Sequence, residues 1–282
     1  MLIARTIAEM RAAVAELREE RTCIGLVPTM GALHEGHLSL VRAARAHCSA
    51  VVVTIFVNPA QFGPNEDFAK YPRTFEADCA LLEKEKVDVL FAPGTAEIYP
   101  PGASTVVEVT GISDRLDGVS RPGHFVGVAT VVAKLFNIVQ PRHAFFGQKD
   151  AAQVAVLRRM VRDLHCPLDV VVCPTVREPD GLAMSSRNRY LSPEQRQQAL
   201  VLHRALRRVE AKVAAGIVDR APLIDAGLAV LADEPEIRVD YFSIVHPDTL
   251  EDVPDVTAGA LVAVAAAVGP ARLIDNLLIP PR

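Results

Sequence analysis

The stretch that decides the fold is CIGLVPTMGALHEGHL, residues 23–38. Its first residues are small or apolar, as in a buried strand, and this run stops at Pro28. Residues 37–46 then have the apolar spacing of a helix. The two histidines of the stretch, His34 and His37, therefore lie on the turn between a predicted strand and a predicted helix.

The same alternation of strands and helices continues outward from this stretch. Residues 1–20 predict an amphipathic helix that starts with a capping box, Thr6 with Glu9. Further strands are predicted at 51–57, 87–92, 105–109, 144–146 and 168–173, and further helices at 75–86, 126–139 and 151–164. Strands that alternate with helices of this length indicate βαβ units and a parallel sheet.

The pattern changes after Cys173. Residues 177–189 are polar without apolar periodicity, and Ser192 with Gln195 then forms the capping box of another helix. Two more strands are predicted at 237–245 and 261–268. We therefore predict an α/β fold, with a Rossmann-like, mostly parallel sheet in residues 1–174 and a smaller α+β domain in residues 175–282.

Composition excludes some classes of function. The formal net charge of the 282 residues is -4, and the two signs are interspersed without a basic stripe. We therefore expect no nucleic-acid and no membrane partner. The longest aliphatic run, 261–268, is too short to span a bilayer. The five cysteines show no CxxC or metal-type spacing, which predicts reduced thiols in a cytoplasmic protein.

The turn at residues 28–38 has the features of a phosphate site. Turns that follow the strands of an open α/β sheet lie at the carboxyl edge, where ligands bind, and a helix N-terminus favours anions. His34 and His37 could donate hydrogen bonds to phosphate oxygens, and Gly36 would leave room for a base or ribose. A pair of surface histidines and a zinc site that needs a third ligand are the alternatives.

A second polar segment at a strand-to-helix junction is residues 145–153. Lys149 can place a positive charge on a phosphate. Asp150 could cap the following helix, and Gln153 would face the same side one turn later. An ordinary helix start is the alternative.

Two other polar segments follow predicted strands. In residues 174–188, two serines beside Arg187 could clamp phosphates, since a guanidinium group suits phosphate geometry; a solvated linker is the alternative. Asn58 and Gln61 offer amides suited to a hydroxy acid, although polar loop residues would look the same. All four segments follow strand ends, and this convergence favours one binding site at the carboxyl edge.

These segments together resemble one family. PTMGALHEGHLSLV, VNPAQFGPNEDFAKYPRT, RPGHF, FFGQKD and MSSRN occur in the order found in pantoate–β-alanine ligases, and Arg272–Asn276 resembles the last segment of that family. The resemblance covers essentially the whole chain. HEGH is similar to the HIGH signature of nucleotidyltransferases, and MSSRN is similar to the KMSKS loop of class I aminoacyl-tRNA synthetases.

The resemblance implies a two-step reaction. Pantoate attacks the α-phosphorus of ATP to give pantoyl adenylate and pyrophosphate, and the amine of β-alanine then displaces AMP. His37 would be the family's proton donor. We describe His34 and His37 as transition-state stabilisers, because attack by a carboxylate needs no proton removed. With Lys149, they are the predicted catalytic residues.

The resemblance also implies the binding residues. Pantoate would be held by Gln61 and Gln153, with Asn58 and Thr29 beside them and Gln61 also near β-alanine. Mg2+ would arrive with the triphosphate, the C-terminal domain would be a lid, and the chain would form a homodimer. The implied ATP site consists of Met30, Gly31, Ala32, Leu33, His34, Glu35, Gly36, His37, Gly147, Gln148, Lys149, Asp150, Val176, Met184, Ser185, Ser186 and Arg187.

The sequence departs from the family at the flank of this site. Val126 stands where the family often has arginine, and Ala151 and Ala152 stand where it commonly has a bulkier residue and a glutamine. None of them replaces a predicted catalytic residue. Two other functions are weighed against the ligase: a nucleotidyltransferase with a phosphate acceptor, which would need more cationic residues, and an ATP-binding module without catalysis.

Overall fold

The computed structural model describes residues 1–20, 23–64, 66 and 68–282. The strands are β1 (Leu2–Ala4), β2 (Ile24–Thr29), β3 (Ala50–Ile55), β4 (Val89–Phe91), β5 (His143–Gly147), β6 (Asp169–Cys173), β7 (Arg238–Val245), β8 (Ala260–Val268) and β9 (Ala271–Ile279). The helices are α1 (Ile7–Glu20), α2 (Glu35–His47), α3 (Phe75–Lys84), α4 (Thr95–Ile98), α5 (Asp117–Ser120), α6 (His124–Val139), α7 (Ala151–Asp163), α8 (Pro193–Ala214) and α9 (Arg220–Leu231). None of the helices in these ranges is long and apolar enough to cross a membrane.

The larger sheet confirms the predicted α/β class. Its six strands are parallel and lie in the order β1-β4-β3-β2-β5-β6. The chain moves outward in one direction from β2 to β3 and β4, and in the other direction from β5 to β6. The direction in which strands are added therefore reverses between β2 and β5. In sheets of this kind, a ligand-binding crevice forms at the carboxyl ends of the two strands where the direction reverses.

Helices cover both faces of this sheet. One core joins one face to α1, α6 and α7 through side chains such as Met10, Leu26 and Val132. The opposite core joins the other face to α2 and α3 through side chains such as Val41, Val53 and Leu82. Because both faces are buried, the strands are apolar throughout rather than alternating.

The smaller sheet is antiparallel, in the order β7-β8-β9, and packs with α8 and α9 around its own core. Four buried apolar residues of this part belong instead to the first core of the larger sheet: Val245, Leu250, Leu261 and Ala263. The two parts are therefore joined by apolar contact as well as by the chain.

Most predicted elements are confirmed, including the capping boxes at Thr6 and Ser192. The strand predicted at 105–109 is wrong, because that segment has no regular secondary structure and belongs to neither sheet. The run that was expected to stop at Pro28 continues to Thr29. Past Leu26, β2 pairs with β3 alone, and a strand with one paired neighbour tolerates proline.

Candidate active site

A cavity of about 700 Å³ opens where the two parts of the chain meet. Its lining includes Lys149 and Gln153, which follow β5, and Arg187 and Arg272 from the C-terminal part. Both polar and apolar side chains line it, as is usual for a small-molecule site. The turns after β2, β3 and β5 all lie at the same carboxyl edge of the sheet.

The turn after β2 is held in a left-handed backbone conformation. Gly31 has a φ of 80° and Ala32 a φ of 49°. One buried carboxyl group holds this turn, since Asp78 accepts the backbone N–H groups of Ala32 and Leu33, both at 2.9 Å. Thr29 contributes through its hydroxyl group, which accepts the N–H of Gly31 at 3.1 Å. The positions of the two histidines that follow therefore depend on Asp78.

Hydrogen bonds fix the tautomers of both histidines. Nδ1 of His34 accepts the N–H of Gly36 at 3.2 Å, and Nδ1 of His37 accepts the N–H of His34 at 3.3 Å. A backbone N–H can only donate, so each neutral ring carries its proton on Nε2. His34 and His37 therefore both present an Nε2–H donor at the start of α2.

Burial keeps these two imidazoles neutral. It lowers the pKa of His37 to about 3, with the neighbouring His34 adding to the effect. Burial, followed by the positive charge of Lys149, lowers the pKa of His34 to about 4. The ring centroids are 4.1 Å apart. Near neutral pH both rings are thus uncharged hydrogen-bond donors.

Gly36 is required by the histidine pair itself. A Cβ atom at this position would lie 2.9 Å from Cε1 of His34. The same Cβ would be 3.8 Å from Cβ of Met184, so the predicted clamp segment reaches this turn. The His34 ring therefore lies in part of the space that Gly36 leaves, and the approach of a base or ribose to this backbone stays a prediction.

Asn58 holds the side chain of Gln61. Its amide nitrogen donates to Oε1 of Gln61 and to the carbonyl of Gly127, both at 3.1 Å, and its oxygen accepts from Ala60 and from the Tyr99 hydroxyl. Nε2 of Gln61 contacts Sδ of Met30 at 3.0 Å. Since Asn58 is buried and its bonds are used within the protein, its assignment to substrate is replaced by a positioning role.

Asn276 of β9 holds the segment after β5. Its amide nitrogen donates to the carbonyls of Gln148 and Lys149, both at 2.9 Å, and its oxygen accepts from the Gln148 side chain. Asp150 occupies the position before α7, but its side chain makes no capping bond and contacts Lys149 at 3.3 Å instead. The predicted cap is therefore wrong, and the segment is fixed from the C-terminal part.

The predicted phosphate clamp is a hairpin rather than a solvated linker. Arg177 and Ala183 form an antiparallel bridge, and the N–H of Met184 donates to the carbonyl of Val176. Arg177 also makes a double ion pair with the buried Asp275 on β9, at 2.6 and 2.9 Å. Residues 184–187 thereby extend toward the cavity from a fixed base.

Sequence reasoning assigned no role to a third histidine, His124, which lines the cavity. Nδ1 of His124 lies 2.9 Å from the carbonyl of Gln61, and Nε2 lies 3.0 Å from Arg121, which can only donate. The ring therefore carries its proton on Nδ1, and burial, followed by the charge of Arg121, lowers its pKa to about 4. Arg121 also pairs with Glu66. The RPGHF motif was the available signal.

The predicted site residues fall into three groups. Two of them face away from the cavity: Leu33 packs in a core, and Glu35 pairs with Arg42 on the outside of α2. Those that line the cavity are Lys149, Asp150, Gln153, Ser185 and Arg187. Those at the surrounding strand ends and hairpin are Thr29, Met30, Gly31, Ala32, His34, Gly36, His37, Asn58, Gln61, Gly147, Gln148, Val176, Met184 and Ser186.

The alternative of a zinc site at the histidine pair finds no support. Within the described part of the chain, the one group of three metal-ligating side chains is Cys23, Cys48 and His143, at the other edge of the sheet. His34 and His37 have no third ligand there, which a zinc site would need.

Comparison with known proteins identifies relatives over the full chain. The family described as pantoate-beta-alanine ligase matches residues 2–278. A pantothenate synthetase of Acidobacterium capsulatum is 66% identical over 98% of this chain and 96% of its own. The crystal structure of pantothenate synthetase from Thermus thermophilus has a TM-score of 0.95 at 52% identity and covers both chains completely. A pantoate-beta-alanine ligase from Francisella tularensis, complexed with beta-gamma ATP and beta-alanine, has a TM-score of 0.81 at 34% identity and covers 99% and 97% of the two chains.

Proposed function

Because the chain belongs to the pantoate–β-alanine ligase family, it is an ATP-dependent ligase that joins pantoate to β-alanine, and we propose that its pantoyl adenylate forms beside His34 and His37. The observation that carries this proposal is the pair of Nε2–H donors at the start of α2. They lie where a helix N-terminus and a strand end meet, which is suited to a phosphate.

In the first step, a carboxylate oxygen of pantoate attacks the α-phosphorus, and the bond from that phosphorus to the bridging oxygen of pyrophosphate breaks. Negative charge grows on the α-phosphate oxygens and on the leaving pyrophosphate. The donors of His34 and His37 would stabilise this charge, because they are oriented before the reaction begins. Lys149 would hold the triphosphate with its positive charge.

In the second step, the amine of β-alanine attacks the acyl carbon of the adenylate. The bond from that carbon to the AMP oxygen breaks, AMP leaves, and the nitrogen loses a proton to form the amide. Gln61 and Gln153 would orient pantoate in both steps. Asn58 supports this role of Gln61, since it fixes one end of the Gln61 amide at 3.1 Å.

Mg2+ would enter as part of the substrate MgATP. The carboxyl groups that line the cavity are each already paired with a cation, as in Glu66–Arg121, Asp117–Arg272, Asp150–Lys149 and Asp275–Arg177. They therefore form no ready cluster for a resident metal among the described residues. A magnesium ion that keeps several waters and is held mainly by phosphate oxygens fits this arrangement.

The C-terminal part, residues 175–282, would act as a lid domain on the sheet of residues 1–174. Arg272 pairs with Asp117 across the cavity at 2.6 Å, and Asn276 holds the segment that carries Lys149. Both contacts support closure over a labile adenylate, which must be kept from water. Val245 and Leu261 are buried in the first core, so this apolar contact would stay in place while the lid moves.

Dimerisation and cellular location extend the proposal. The edge strand β1 exposes Leu2 and Ile3, apolar surface that a second copy in a homodimer could cover. A cytoplasmic location agrees with cysteines that are all free thiols in the described part. Light scattering of the purified protein tests the first point, and cell fractionation tests the second.

The decisive experiment is the exchange of labelled pyrophosphate into ATP. The purified enzyme is given Mg2+ and ATP with and without pantoate, and β-alanine is omitted. Exchange that depends on pantoate is expected, followed by release of AMP when β-alanine is added. Folded, ATP-binding protein without this exchange would contradict the adenylate step and favour a nucleotidyltransferase with another acceptor or a non-catalytic module.

A further inference from the structure

Three metal-ligating side chains meet at the edge of the large sheet opposite the active site. Cys23 precedes β2, Cys48 precedes β3, and His143 opens β5, three strands that are neighbours in the sheet. One ligand atom from each lies within 4.8 Å of the other two. These are the amino ends of strands whose carboxyl ends carry the active site, so a strand length of about 16–20 Å separates the two.

The two sulfur atoms are in direct contact. Sγ of Cys23 lies 2.7 Å from Sγ of Cys48, which is buried at the end of α2. Gly25 leaves space for the Cys48 sulfur, because a Cβ atom at position 25 would lie 3.2 Å from Sγ of Cys48. Two soft donors from separate segments are thereby brought to one point.

The pair has the chemistry of metal ligands. Both cysteines are free thiols, Cys48 buried and Cys23 partly exposed. A bound cation displaces the proton of a coordinating thiol, and thiolates are soft donors that ions of the zinc class prefer. The two sulfurs therefore suit metal ligation.

His143 supplies a third donor whose hydrogen-bonding capacity is unused. Its Nδ1 atom is shielded from solvent and has no hydrogen-bond partner among the described residues, although buried polar atoms are usually bonded. Oδ2 of Asp169, the cross-strand neighbour of His143, lies 3.4 Å from Nδ1 without hydrogen-bond geometry. A carboxylate oxygen, which zinc also accepts as a ligand, thus lies beside this third donor.

We propose that Cys23, Cys48 and His143 bind a thiophilic divalent cation of the zinc class. Two thiolates and one imidazole are a donor set that zinc prefers, with water or Asp169 in the fourth position. Zinc–sulfur bonds of about 2.3 Å in a tetrahedral site place the sulfurs about 3.8 Å apart, so binding separates them by about 1 Å. The ion would tie the starts of three adjacent strands together without touching the active site.

Titration with Co2+ as the probe tests the proposal. The protein is first reduced, freed of chelator and metal, and kept without oxygen. One Co2+ per chain is expected to bind, with thiolate charge-transfer absorption and the intense visible bands of tetrahedral cobalt. Zn2+ should displace it stoichiometrically and raise the melting temperature by several degrees, because a ligand of the folded state stabilises it.

Variants separate this site from other thiols. Cys23→Ser and His143→Gln should each weaken Co2+ binding at least tenfold, and both positions are only partly buried. Cys166→Ser, a partly exposed cysteine outside the cluster, is the matched control and should bind normally.

Three results would refute the proposal: no thiolate absorption with millimolar Co2+, absorption unchanged in Cys23→Ser, or only three reactive thiols in the unfolded, unreduced protein. The last result would identify a disulfide instead.

Discussion

The turn that carries the histidine pair depends on one carboxyl group, so replacement of Asp78 is the most informative change. Asp78 lies in the first turn of α3, and its oxygens accept two backbone N–H groups at 2.9 Å and the Thr74 hydroxyl at 3.1 Å. Asp78→Ala leaves the N–H groups of Ala32 and Leu33 buried and unbonded.

The expected loss of stability follows from this count of bonds. A buried donor without a partner costs about 1–3 kcal/mol, so two cost about 2–6 kcal/mol. The φ of 49° at Ala32 is then no longer held, and a left-handed alanine is disfavoured by roughly 1–2 kcal/mol. The turn should therefore relax, move His34 and His37, and lower pantoate-dependent pyrophosphate exchange by about a hundredfold or more.

Urea unfolding followed by circular dichroism measures the first effect, since the chain has no tryptophan. Asp78→Asn should fall between wild type and Asp78→Ala, because its amide keeps one accepting oxygen. Glu76→Ala changes an exposed acidic residue in the same first turn of α3 and should leave both stability and exchange near normal. An Asp78→Ala enzyme with normal unfolding free energy and normal exchange would refute the assigned role.

Three other predictions test the site. His37→Ala should fold and bind pantoate normally but lower adenylation about a hundredfold or more, because one preorganised donor is lost; normal exchange would remove it from the mechanism. Asn276→Ala should raise the KM for ATP more than it lowers kcat, since it frees the Gln148 and Lys149 carbonyls; an unchanged KM would contradict this. The lowered pKa values of His34, His37 and His124 mean that unfolding takes up protons below pH 6.5. Stability present above pH 6.5 should thus be lost down to about pH 4 for His34 and His124 and about pH 3 for His37, by up to about 1.4 kcal/mol per pH unit for each histidine. Flat unfolding free energies over that range in urea titrations would contradict the neutral assignment.

The parallel sheet could be predicted because its strands are buried on both faces and therefore carry long apolar, β-branched runs. The wrong prediction of a strand at residues 105–109 also rests on apolar, β-branched residues. Its residues favour strands, but Val106 is 64% exposed and the N–H of Val107 bonds to the Thr130 hydroxyl. A strand needs a partner as well as suitable residues, and the sequence alone does not show where the sheet ends.

The site was predictable where its residues are contiguous and hidden where they are distant. His34 and His37 share one turn, so their motif could be recognised. Asp78 has the pattern of an ordinary acidic residue in the first turn of a helix, which the helix dipole would explain. Asn276 belongs to a segment recognised only by resemblance. Their roles depend on tertiary hydrogen bonds, which local sequence patterns do not determine.

Hydrogen bonding and burial both favour the neutral form of His34 and His37, and this restricts the mechanism. Each Nδ1 accepts a backbone N–H, so protonation of that atom would break a bond that orients the ring. Two imidazolium rings with centroids 4.1 Å apart would also repel each other. Near pH 7 the pair can therefore supply directed dipoles but no net charge. The positive charge that a triphosphate needs must come from elsewhere, and Lys149 with the magnesium of MgATP would provide it. Because both rings stay neutral near pH 7, the strength of the two hydrogen-bond donors does not depend on pH there.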